Sequence, residues 1–124
     1  MDDYHPWQHA SLQFQPTTAV AHGTWHYVHV TGDTKFLRAE GAELLVQICR
    51  FLASRGQWSA KGKFGYYAEM GPDEFQMMVN NNAYANYMAK QAFKNTCRKT
   101  GKNLGDFLEE SSQGHLGMRL YSSI

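Results

Sequence analysis

The sequence predicts an all-α fold of three to four helices, with one short extended segment ahead of an acidic turn. Three observations predict it. Between Thr34 and Ser54, apolar side chains recur at the helical period. Just before that stretch, Thr31-Gly32-Asp33 joins a helix stop to a helix start. After it, Gly71-Pro72-Asp73-Glu74 breaks the chain where no helix can continue, and an amphipathic run resumes near Asn82.

Residues 1–15 show neither a helical nor a strand period and read as a loop rich in rings and hydrogen-bonding groups: Tyr4, His5, Trp7, Gln8, His9, Gln13 and Gln15. Pro16 opens the first helix at the position proline tolerates best, and the helix is expected to run to about Val30. Ala19, Gly23, Tyr27 and Val30 lie on one face at helical spacing. His22, His26 and His29 form the neighbouring stripe. A His-x-x-x-His pair can chelate a metal, but no Asp or Glu shares this stripe, so the three read as surface or packing histidines and no metal site is expected.

Gly32 supplies a left-handed stop, and Asp33 or Thr34 caps the second helix, expected over Thr34 to Ser54. Its stripe is Phe36, Leu37, Leu44, Leu45, Ile48, Phe51 and Leu52. Two helices joined by so short a turn make a helical hairpin. Ser59 to Lys63 is a polar, basic excursion, and Phe64-Gly65-Tyr66-Tyr67 is the extended segment. The third helix is expected from Asn82, capped by Asn81, to about Thr96, with Ala85, Met88, Ala89, Ala92 and Phe93 inward. Beyond Arg98 the pattern weakens into a Gly- and Ser-rich tail.

A chain of 124 residues is enough for one small domain, and 43% apolar with 19% charged residues suits a folded one. A net charge of +1 gives no electrostatic case for nucleic acid or an anionic membrane. No apolar run is long enough to span a bilayer, and the start lacks the basic and apolar regions of a signal peptide, so a cytoplasmic location is expected. Cys49 and Cys97 fall in expected helices and read as packing residues rather than a disulfide or zinc pair. Three Trp, seven Tyr and seven Phe fit sugar stacking, and equally fit a bulky core.

Glu74 and Asp73 sit on the turn with aromatic residues on both sides. A carboxyl group on a rigid turn is a common way to place a proton donor. The same four residues alone are more often a solvated loop. What shifts the reading is the order of the motifs: Trp7-Gln8-His9-Ala10-Ser11-Leu12-Gln13, Thr31-Gly32-Asp33, Arg50-Phe51 with Ala53-Ser54-Arg55, and Gly71-Pro72-Asp73-Glu74-Phe75 followed by Val79-Asn80-Asn81-Asn82-Ala83-Tyr84. Over roughly residues 4–96 this series resembles the central catalytic region of family-65 glycoside hydrolases, which include the maltose, trehalose, kojibiose and nigerose phosphorylases.

The resemblance implies a slice of an (α/α)6 barrel, formed by residues 1–97, with 98–124 a divergent, frameshifted or disordered tail. It implies a segment of an inverting phosphorylase that cleaves an α-linked glucose disaccharide with phosphate, giving β-glucose 1-phosphate and glucose or another acceptor. A truncated, non-catalytic remnant and a hydrolase of the same family are the alternatives. An inverting hydrolase needs two carboxyl groups, one of them to activate water. Phosphate is already a nucleophile, so one general acid suffices, and the motif match makes it Glu74. Phe75 and Tyr67 are the candidates for an apolar wall beside it, and Asp73 takes a structural role in the turn. Trp7, Gln8 and His9 match the acceptor-sugar loop. Inorganic phosphate is the implied co-substrate, with no cofactor. The isolated chain is expected to be inactive and to associate with the rest of the enzyme or with further copies.

The sequence departs from the family in three places. Maltose phosphorylases carry carboxylates where Gln8, Leu12 and Gln13 stand, which argues against maltose specificity. Ala85 replaces a usual Thr, and the tail from about Arg98 matches nothing expected of the family.

Overall fold

The computed structural model describes residues 11–102, 105–107 and 109. Helix α1 (Gln15–Thr31) has Pro16 in its first turn and ends at Gly32, whose φ of 67° is the left-handed conformation glycine adopts without strain. The Gly32 N–H closes the helix on the Val28 carbonyl. Asp33 then caps α2 (Thr34–Phe36), its carboxylate accepting from the Phe36 N–H at 2.9 Å.

A π-helical turn (Leu37–Gly41) joins α2 to α3 (Ala42–Arg55), so the expected single helix over Thr34 to Ser54 carries one wide turn. Gly41 lies where an added Cβ would stand 3.3 Å from the Phe36 ring. The buried stripe is Leu37, Leu45, Ile48 and Leu52, joined by Val46, Cys49 and Ala53. Leu44 and Phe51, expected inside, lie on its flank and are each 40% exposed. The wide turn rotates the following residues around the axis, which shifts the stripe.

Strands β1 (Gln57–Trp58) and β2 (Phe64–Gly65) form a small antiparallel hairpin. The expected excursion is its turn: Ser59 donates its N–H to the Lys63 carbonyl at 2.8 Å, and its hydroxyl accepts from the Lys63 N–H. Only Phe64 and Gly65 of the expected extended segment are strand; Tyr66 and Tyr67 lead out of it.

Helix α4 (Ala83–Thr100) is capped by Asn82 rather than Asn81, the Asn82 side chain accepting from the N–H groups of Tyr84 and Ala85. It runs four residues past the expected end, across Arg98, to a left-handed Gly101. Its inner face is Ala85, Ala89, Ala92, Phe93 and Thr96. Alanines at this face let the α4 backbone come close to α1 and α3, and α4 packs against both. The partners on α1 correct the expected face. Ala19, Gly23, Tyr27 and Val30 are exposed, while Thr18, Ala21 and Val28 are buried. The helix turns the Gln15, Thr18, Ala21 and Val28 face inward, packs against α4 and α3, and leaves Val30 68% exposed.

The core joins Phe14, the α3 stripe, Tyr66, the α4 alanines, Phe93 and Phe107. Each fully buried large side chain contributes about 1.5–3 kcal/mol relative to exposure. Cys49 is buried and its thiol is pushed up to about 11 by that burial, so it stays a neutral packing group. His22, His26 and His29 are exposed, and Lys99 reaches from α4 to lie 5.4 Å over the Trp25 ring of α1.

Candidate active site

The acidic turn stands on a loop whose base is fastened from three sides. From the β2 side, the Tyr66 carbonyl accepts from the Asn81 N–H at 2.7 Å, and the buried Tyr66 hydroxyl donates to the Leu52 carbonyl of α3 at 3.1 Å. Across the loop, Glu69 and Val79 exchange both main-chain hydrogen bonds, at 3.0 and 2.8 Å, as an isolated antiparallel bridge. Toward the N-terminal side, the Met70 N–H donates to the Leu12 carbonyl at 3.1 Å.

The three asparagines each have a part in this base. Asn80 Oδ1 accepts from the Ala68 N–H at 2.9 Å. Asn81 takes a left-handed φ of 54°, which asparagine tolerates better than most residues, and its side chain fills the space over Gly65. Asn82 starts α4 and lies against Gly71, where an added Cβ would meet its Nδ2 at 2.5 Å. The Asn run is therefore legible as chemistry: short amides serve as substitutes for main-chain partners where the loop cannot pair with itself.

Beyond this base the tip is open. Asp73 holds it: its carboxylate accepts from the Phe75 N–H at 3.2 Å and its carbonyl from the Gln76 N–H at 3.1 Å. This is the structural role expected of Asp73. Glu74 is exposed at the tip, with Oε1 accepting from Gln13 Nε2 at 3.4 Å. Gln13, read as a departure from the maltose phosphorylases, thus reaches the candidate acid. The expected apolar wall is not formed by Phe75, which is 99% exposed because its N–H is drawn to Asp73 and the ring is thrown outward. Tyr67 is half-buried. Trp7, Gln8 and His9 lie outside the described residues.

Sequence reasoning missed Glu69. It is fully buried, and neither carboxylate oxygen has a hydrogen-bond partner. Burial pushes its carboxyl above the ordinary range, against a smaller opposing pull from the Asn82 main chain. The only signal was an acid inside an otherwise apolar and aromatic run, Tyr66 to Met70. A separate cavity of about 380 Å³ lies between β2 and α4, lined by Phe64, Tyr66, Asn86, Ala89, Lys90 and Phe93; Glu74 does not line it. Among the described residues no group of three or more His, Cys, Asp or Glu is placed to hold a metal, and no helix is long and apolar enough to cross a membrane.

On a helical scaffold, the fastened loop carries Asp73, engaged with its own turn, and Glu74 at an exposed tip. The family model described as the glycosyl hydrolase family 65 central catalytic domain matches residues 2–113, and the chain belongs to that family. It is 43% identical over 75 residues to a kojibiose phosphorylase of Halothermothrix orenii, a match covering 60% of this chain and 10% of that enzyme. An alpha,alpha-trehalose phosphorylase of Geobacillus stearothermophilus is 41% identical over 80 residues, 64% of this chain and 10% of that one. Among solved structures, a putative kojibiose phosphorylase from human microbiome superposes with a TM-score of 0.73 at 43% identity, covering 86% of this chain and 15% of that one. The chain therefore spans about a tenth of the length of the curated relatives it matches.

Proposed function

We propose that this chain is a segment of an inverting α-glucoside phosphorylase in which Glu74 is the general acid. The observation that carries the reading is the fastened Gly71-Pro72-Asp73-Glu74 turn, which carries the Glu74 carboxyl group at its open tip on a base tied by Asn80, Asn81 and Asn82. In the reaction, a phosphate oxygen forms a bond to the anomeric carbon from the face opposite the leaving group. The glycosidic carbon–oxygen bond breaks, and Glu74 gives its proton to the departing oxygen. The products are β-glucose 1-phosphate and glucose or another acceptor. Phosphate is a co-substrate and no cofactor takes part. Trp7, Gln8 and His9 belong to the acceptor side, and the helices form part of an (α/α)6 barrel in a cytoplasmic enzyme.

A general acid works in a water-poor site that holds both reactants. Here Glu74 stands in solvent, so the 124 residues alone are expected to be inactive, and activity requires the remainder of the barrel. The same exposure supports the second reading, a non-catalytic remnant of such an enzyme.

The test is a chimera in which residues 11–102 replace the matching segment of the Halothermothrix orenii kojibiose phosphorylase. Kojibiose turnover is followed by NMR. Release of β-glucose 1-phosphate supports the phosphorylase reading. Glucose without sugar phosphate would make this a hydrolase segment, and a folded but inert chimera would favour the remnant.

A further inference from the structure

We propose that Glu69 is a positioning residue that acts as a proton-controlled latch: buried as the neutral acid, it keeps closed the Glu69–Val79 bridge from which the Glu74 turn projects. The functional consequence rests on the reading of Glu74 as the acid; the latch itself is a property of this chain.

The geometry is specific. Glu69 is 0% exposed, and neither carboxylate oxygen has a well-formed hydrogen bond; the Asn82 main chain pulls on the ionised form by less than burial opposes it. An ionised carboxylate in that state has neither water nor a cation to replace its hydration, so the neutral acid is the form that fits. Among the described residues, these are the groups that come to it. From the β2 side comes Tyr66, whose hydroxyl is committed to the Leu52 carbonyl and is itself pushed up by burial. From the N-terminal side come Leu12 and Gln13, both neutral. From α4 comes the Asn82 main chain, and the first charged side chain of that helix is Lys90. Asp73 and Glu74 are exposed on the tip.

Ionisation leaves Glu69 one route to water. Its N–H and carbonyl are both engaged by Val79, and the next residue is tied to Leu12. Bringing the side chain out rotates this main chain and opens the bridge, which frees the loop carrying Glu74. Four residues separate the latch from the acid, and Gly71 against Asn82 transmits the position of one to the other.

The experiment is native-state hydrogen exchange on the full chain from pH 4 to 9, corrected for intrinsic rates, comparing the native sequence with Glu69→Gln. Because the folded-state pKa is raised, the stabilisation is complete below the unfolded value. It is lost as pH climbs from there through the folded value. The expected result is that protection of the Glu69 and Val79 amides, relative to Glu69→Gln, falls by up to about tenfold per pH unit from the ordinary value of 4.5 upward, the slope of one proton, and then levels. A difference that is the same at every pH, as simple packing would give, overturns the proposal. Should Glu69→Gln not fold, ¹³C-carboxyl titration of the native chain decides: Glu69 is expected to titrate above the ordinary value of 4.5, and titration in the ordinary range overturns the latch. Neither experiment measures turnover, so an inert Glu74 would leave this result standing.

Discussion

At the residue scale the chain uses short polar side chains where its main chain cannot pair with itself. Asn82 both caps α4 and backs Gly71. Asn82→Ala is expected to lower stability by about 1 kcal/mol, within roughly 0.5–2, read from the urea midpoint at unchanged slope. Gly65 is covered by the Asn81 side chain, so Gly65→Ala forces that side chain aside and is expected to cost about 1–3 kcal/mol in the same assay. These positions were largely legible in the sequence, because Gly, Pro and Asn act through local backbone geometry. The cap was misplaced by one residue, since Asn81 and Asn82 are chemically alike and only the loop decides which one meets the helix. Glu69 was not legible: an acid's burial is set by what folds over it, and no local pattern encodes that.

At the element scale, periodicity located the helices well and their faces less well. The α3 stripe was readable because Leu45, Ile48 and Leu52 are large and regularly spaced. Leu52 is fully buried and its carbonyl holds Tyr66, so Leu52→Ala is expected to cost about 2–5 kcal/mol and to loosen the β2 side of the site. Thermal unfolding of this variant beside Leu44→Ala checks the claim. Leu44 is 40% exposed, and its loss should be the smaller one. The π-helical turn was invisible, because one extra residue per turn leaves no compositional mark. The α1 face was misread for a related reason. Of its buried residues, Gln15, Thr18, Ala21 and Val28, only Val28 is a large apolar side chain, and α1 packs against both α4 and α3.

At the scale of the whole molecule, the chain belongs to glycoside hydrolase family 65 and spans about a tenth of the length of its curated relatives. The family was legible from the order of its motifs, while Trp7, Gln8 and His9, expected to belong to an acceptor loop, lie outside the described residues. Phe75, Met77 and Met78 are exposed on the loop of the acidic tip, at 99, 51 and 61%, and Tyr87 is exposed on α4 at 60%. An apolar group of this kind is expected to drive self-association of the isolated chain. Sedimentation velocity should show oligomers at micromolar concentration; a single monomeric species would contradict that expectation.

The central claim is that Glu74 donates the proton to the leaving oxygen, and its most direct measurement separates proton donation from everything else. In the chimeric phosphorylase, Glu74→Gln is assayed with kojibiose and with α-glucosyl fluoride, whose leaving group departs without a proton. The predicted result is a kojibiose rate lowered by about 10²–10⁴-fold, with the fluoride rate lowered less than about tenfold. Equal losses on both substrates would contradict it, and so would a Glu74→Gln enzyme that still cleaves kojibiose at the parent rate.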